Sequence, residues 1–180
     1  MPASKGEGAI LFHGDSRQMK KLIGVAILLC IFSCLTLAQE TPKPEAFFGY
    51  QFTTMGNPSW NANGWNGQAN FYITRLVGIT GDFSGAYASG AKVHTYTFGP
   101  VVSVHKGSLS PFVHGLFGGA HFSAAGAGLN GMAMMFGGGV DMGRKQIAVR
   151  LFQFDWMITR FSGVTEKNNA RVSTGILMRF

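Results

Sequence analysis

Few side chains in this chain are placed to do chemistry. His121 and Ser123 stand two apart. A strand would put them on one face, where an imidazole can draw a proton from a hydroxyl and make the oxygen a nucleophile. No carboxylate stands close by in sequence to orient that imidazole, so the plainer reading is two polar residues at the rim of a strand. His94, His105 and His114 are scattered, with no pair at metal-ligand spacing. Cys30 and Cys34 both lie in an apolar N-terminal run, which leaves the rest of the chain without a thiol nucleophile, thiolate metal site or disulfide. Gly118-Gly119 and Gly137-Gly138-Gly139 are not followed by the Lys-Ser/Thr and helix start of a phosphate loop. They fit the relief of crowding between large side chains instead. No cofactor and no bound metal is implied.

The charged residues Asp82, Asp141, Asp155, Arg171 and Arg179 gain meaning only from the elements that carry them. From Ala46 onward the recurring signal is period-two alternation, cut at short intervals by Gly, Pro, Asn or Ser. It predicts eight strands: 46–54, 67–75, 77–87, 92–104, 111–122, 132–142, 146–158 and 170–180. Phe48, Tyr50 and Phe52 oppose Gln51 and Thr53, and Phe152, Phe154 and Trp156 oppose Gln153 and Asp155. By parity the five charges share the polar face. Arg150 has apolar-face parity near the start of its strand, where it can snorkel to headgroups or a bulge can reverse its facing.

Alternation alone does not say which face is inside. A soluble lipocalin-like barrel has the same period with the apolar face inward. Three features favour the reverse. The apolar face is aromatic-rich, the polar face is dominated by short residues, and charged residues make up only 13% of the 180. A water-facing exterior should carry about 25–35% charged residues. The strands also have the ~9–11 residues a tilted strand needs to cross a bilayer. The prediction is an all-β, eight-stranded antiparallel transmembrane β-barrel. Its polar face becomes a lumen, holding either a buried ion-pair network or a narrow path for ions or small solutes. Trp60, Trp65, Tyr72 and Trp156 fit an interfacial aromatic girdle. Short turns are expected near Leu76, His105–Ser110 and Gly143–Lys145. Outer loops, none of them long, are expected at Met55–Asn66, Ala88–Ala91, Ser123–Gly131 and Phe161–Asn169.

Lys20 and Lys21 precede an uninterrupted apolar run from Leu22 to Phe32, and Thr36-Leu37-Ala38 offers a small-residue cleavage site. Residues 19–38 read as a signal peptide cut after Ala38, 1–18 as an upstream extension, and 39–180 as the barrel. The net charge of +7 includes Lys5, Arg17, Lys20 and Lys21, and the remaining cations form no cluster. Nucleic acid is therefore not an expected partner.

Ser173, Gly175, Met178 and Phe180 resemble the C-terminal β-signal of outer-membrane proteins: a polar residue, a Gly two on, and apolar residues third-last and last. That resemblance implies the barrel-assembly machinery as a partner in biogenesis. Phe136-Gly137-Gly138-Gly139-Val140-Asp141, Gln153-Phe154-Asp155-Trp156 and Tyr96-Thr97-Phe98-Gly99-Pro100 are similar to strands of the small OmpA-like or OmpX-like barrels. The likeness covers about 140 residues, Gln39 to Phe180. It implies a monomer in outer-membrane lipid, with a structural or surface-interaction role and no enzymatic activity. Nothing resembles the peptidoglycan-binding domain of longer OmpA relatives, so a cell-wall tether is not expected. His121-Phe122-Ser123 also resembles the His-x-Ser pair of outer-membrane lipid A deacylases, which implies an alternative role as a lipid hydrolase.

Overall fold

The structure, a computed structural model, describes residues 42–56, 60–144 and 146–180. The expected export segment lies outside them. Eight strands follow one another: β1 Glu45–Met55, β2 Trp60–Tyr72, β3 Val77–Ala88, β4 Ala91–Ser103, β5 Leu109–Ala124, β6 Ala127–Met142, β7 Ile147–Phe161 and β8 Val164–Arg179. Each pairs antiparallel with the next, and β1 pairs with β8, so the sheet closes into a barrel without an edge.

The burial pattern is inverted relative to a water-soluble barrel. Phe48, Phe71, Phe83, Phe98, Ile147 and Phe180 are among the large apolar side chains on the exterior, each 59–68% exposed. Asp82, Asp155, Arg150 and Arg171 are fully buried inside. Alternation along each strand therefore sends apolar groups out and polar groups in, the arrangement a lipid solvent requires.

Turns at one end, which also carries the first and last strand ends, join β2 to β3, β4 to β5 and β6 to β7. In the first of them the Thr74 hydroxyl accepts from the amides of Leu76 and Val77, at 3.3 and 2.9 Å. At the far end the hairpins run longer than the sequence suggests. The expected loop 123–131 is mostly strand, paired down to Ala124–Ala127, and the turn itself is Ala125-Gly126, with φ of 50° and 82°. The expected loop 161–169 likewise closes on Ser162-Gly163. Strand β2 begins at Trp60 rather than Gly67 and ends at Tyr72 rather than Arg75. Strands β5, β6 and β8 have 16 residues each. At about 3.3 Å per residue they are some 50 Å long, more than a tilted crossing uses. Beyond a bilayer both faces of a hairpin meet water, so alternation fades there and the segment reads as loop.

The pairing of β7 slips by one residue against both neighbours between Arg150 and Gln153. Leu151 and Phe152 consequently both face outward, at 43% and 50% exposure. This bulge turns Arg150 into the lumen, against its simple parity.

Candidate functional site

The lumen holds a connected polar belt. Arg171 on β8 donates through Nη1 and Nη2 to both oxygens of Asp82 on β3, at 2.9 and 2.8 Å, and through Nε to Asp155 on β7, at 2.8 Å. It thus bridges strands three apart around the ring. His114 on β5 shares a 2.7 Å hydrogen bond with the other oxygen of Asp155. Arg150 donates to Asp141 at 2.7 and 3.1 Å and to the side-chain oxygens of Gln68 and Gln153. Gln68 in turn donates to Asp82 at 2.7 Å, and Gln153 to Asp155 at 2.7 Å. The two arginines and their carboxylates are therefore one network, with every charge paired, as burial demands.

Small residues make room for this belt. A Cβ at Gly137 would lie 2.1 Å from an oxygen of Asp155, and one at Gly139 would lie 3.0 Å from the Phe112 ring. The Phe112 and Phe47 rings each sit 4.2 Å from the Arg150 guanidinium carbon. Phe47 reaches that position across the seam, over the facing pair Gly49 and Gly175. A Cβ at Gly175 would stand 2.4 Å from the Gly49 Cα and the Phe48 carbonyl oxygen.

Apolar clusters flank the belt on both sides. Phe47, Ala148 and Leu177 cluster towards the terminal end. Leu116, Met135 and Met157 do so towards the far end. Beyond the latter the Phe122 ring meets Trp60 at 6.5 Å and Phe161 at 6.1 Å, so three inward aromatics cap the far mouth. Trp60 is therefore not part of an outward girdle. At the terminal mouth Glu45 accepts from Arg179 Nε at 2.8 Å, Tyr72 at 2.8 Å and Asn70 at 3.2 Å. Tyr72 thus stands at the opposite end from Trp60, tied to a lumen carboxylate.

The five charges singled out from the sequence fall into two places. Asp82, Asp155 and Arg171 meet directly, and Asp141 joins them through Arg150, whereas Arg179 belongs to the mouth. Of the C-terminal pattern, Ser173 and Gly175 face the lumen, while Met178 and Phe180 face outward at 46% and 65% exposure. The Phe180 amide donates to the Pro44 carbonyl at 3.0 Å, which ties the last residue to the lead-in of β1. Sequence reading did not single out His114, Glu45, Gln68 or Gln153; inward parity was a usable signal for Gln68 and Gln153, whereas Glu45 precedes the strand expected from Ala46 and opens β1 in the structure.

His121 and Ser123 face outward near the far end. Ser123 Oγ lies 3.0 Å from His121 Nε2, and His121 Nδ1 lies 2.7 Å from Asn130 Oδ1. Asn130 is the cross-strand partner of His121, a relation that sequence spacing does not reveal. If the imidazole donates from Nδ1 to Asn130, Nε2 is left to accept the serine proton, as a hydroxyl nucleophile needs. Beside it, Tyr87 Oη lies 3.1 Å from His94 Nε2 and accepts from Trp65 Nε1 at 3.3 Å. Gly85 leaves the space in which these three meet. No group of three His, Cys, Asp or Glu able to hold a metal occurs among the described residues.

No protein-family model matches the chain, and no curated protein matches it in sequence. Solved structures match the fold. Ail, the attachment invasion locus protein of Yersinia pestis, aligns over 78% of this chain and 100% of its own, with a TM-score of 0.54 and 16% identity. Neisserial surface protein A aligns over 76% and 96%, with a TM-score of 0.62 and 10% identity. The N-terminal β-barrel domain of Pseudomonas aeruginosa OprF aligns over 79% and 100%, with a TM-score of 0.55 and 13% identity. At these identities the likeness is one of fold: the chain has the architecture of small eight-stranded outer-membrane barrels.

Proposed function

We propose that this chain is an exported, monomeric outer-membrane β-barrel with a sealed lumen, acting structurally or through its outer surface. The observation that carries this reading is the inversion of burial, with phenylalanines facing out and a fully paired ionic belt facing in. In water that exterior would be a continuous apolar surface of the kind monomeric soluble proteins avoid. With the termini and tight turns in the periplasm, the long polar hairpins stand on the cell surface, where a partner would meet them. Outer-membrane fractionation with a heat-modifiability gel tests the proposal. The protein should pellet with outer membrane and migrate differently with and without boiling. A soluble protein whose mobility ignores boiling overturns it.

Two features argue against a channel: the cross-lumen Arg171–Asp82 pair and the apolar layers on either side of the belt. Planar-bilayer recordings should accordingly show no steady conductance.

A second reading, a lipid hydrolase, is favoured by the Ser123–His121–Asn130 relay on the outward face. Its substrate would be an acyl ester in the outer leaflet. Deacylation of purified lipid A that disappears in Ser123→Ala would support it, and an inert native protein would dismiss it.

A further inference from the structure

The terminal mouth of the barrel opens into a cavity of about 910 Å³. Three turns and the lead-in segment line it, and among the described residues each contributes an exposed cation. They are Lys43 from the lead-in, Arg75 between β2 and β3, Lys106 between β4 and β5, and Arg144 between β6 and β7. Among the described residues of the wall the one carboxylate, Glu45, is already engaged by Arg179, Tyr72, Asn70 and His105. Arg179 is satisfied too, donating to the Gly143 carbonyl at 2.9 Å and Ser110 Oγ at 3.3 Å besides Glu45. His105 lines the same cavity, and its buried Nδ1 has no partner among the described residues.

This distribution is not what the barrel itself needs. Every charge of the lumen belt already has a partner within the belt, and the turns require only backbone closure. Four cations converging from four segments around a wide concavity instead raise the local potential for anions and focus it within low-dielectric walls. Exposed Lys and Arg also suit phosphate, which takes several charge-assisted hydrogen bonds at once.

We propose that this basic vestibule is a binding site for a phosphate-bearing oligoanion, entering from the side that carries the start of β1 and the end of β8. Phosphate of this kind can be borne by a lipid headgroup of the adjacent leaflet or by a soluble phosphate compound. The site lies at the opposite end from the Ser123 relay, and its failure would leave the sealed-barrel reading intact.

The test titrates the full-length protein, held in zwitterionic phosphatidylcholine nanodiscs, with tripolyphosphate at low ionic strength and follows binding by calorimetry. Saturable binding is expected. The Arg75→Ala/Lys106→Ala/Arg144→Ala variant should bind roughly ten-fold more weakly, equivalent to about 1.4 kcal/mol. A charge-matched Lys92→Ala/Arg160→Ala/Lys167→Ala variant at the far end should bind as the native protein does. Heat-modifiable migration verifies that each variant is folded, and the single Arg144→Gln variant, with a smaller loss, serves if the triple variant is not. No saturable binding, or equal losses in the two triple variants, overturns the proposal. Repeating the titration in phosphatidylglycerol nanodiscs separates the sources. Suppressed binding assigns the site to lipid headgroups, and undiminished binding assigns it to a soluble phosphate compound.

Discussion

Arg150 and Asp141 face each other across the register slip of β7, joined by two hydrogen bonds of 2.7 and 3.1 Å inside the lumen. Without the bulge at Leu151 and Phe152, Arg150 would point into lipid and Asp141 would be buried alone. The bulge therefore belongs to the ionic belt as much as to the strand. Removing one partner of a buried pair leaves the other uncompensated, at a cost of about 3–5 kcal/mol. Arg150→Met should thus destabilise the folded barrel by that order in urea unfolding from lipid vesicles. Lys92→Met, on the exterior near the far end, should stay within about 0.5 kcal/mol of the native protein. A similar small loss for Arg150→Met would mean that the belt contributes no net stabilisation.

Gly175 and Gly49 meet at the seam where β8 closes on β1. A methyl group at Gly175 would press on backbone atoms, the Gly49 Cα and the Phe48 carbonyl oxygen, and would displace the Phe47 ring beneath Arg150. Gly175→Ala is expected to lower the fraction that reaches the heat-modifiable form during refolding. At Gly81, also within a strand, an added Cβ meets nothing within 4 Å. Gly81→Ala should refold like the native protein, and equal yields for the two variants would remove the seam argument.

Alternation located all eight strands because each has one face in a polar lumen and one outside, and it also placed Asp82, Asp155 and Arg171 on a common side. It failed wherever that two-sided environment changes. The bulge breaks parity between Arg150 and Gln153; a charge on the apolar face at Arg150 hinted at it, but left open whether headgroups or the lumen received the side chain. Glu166, Lys167 and Asn168 read as loop because a hairpin outside lipid is polar on both faces. Trp60 read as girdle because an aromatic near a strand end can cap a mouth as readily as it can anchor in headgroups. Asn130 could not be matched to His121 before the β5–β6 register was known.

Trp65, Tyr87 and His94 form a hydrogen-bonded aromatic group on the exterior, the arrangement of an interfacial anchor. A Cβ at Gly85 would stand 2.8 Å from both Trp65 Nε1 and Tyr87 Oη. Those atoms end flexible side chains, so Gly85→Ala should fold but push the group apart. Quenching by lipids brominated at graded depths, read with Trp65 as the only tryptophan, should show Trp65 at a changed depth in that variant. An unchanged depth profile would separate the hydrogen bonds from anchoring.

The turn between β5 and β6 places Ala125 at φ 50° and Gly126 at φ 82°. Two positive values in a two-residue hairpin describe a type I′ turn, for which Asn-Gly is the preferred pair. Alanine pays a steric penalty of roughly 1–2 kcal/mol in the left-handed region, which asparagine relieves in part through local hydrogen bonding. Ala125→Asn should therefore stabilise the hairpin by about 0.5–1 kcal/mol. The reverse strain, at Gly126→Ala, should cost about 1 kcal/mol or more. Native-state hydrogen exchange at Ser123 and Gly128, which pair across the hairpin just behind the turn, reads both changes directly. Slower exchange is expected for Ala125→Asn and faster for Gly126→Ala. If both variants shift exchange the same way, the turn does not hold the geometry that these two φ values define.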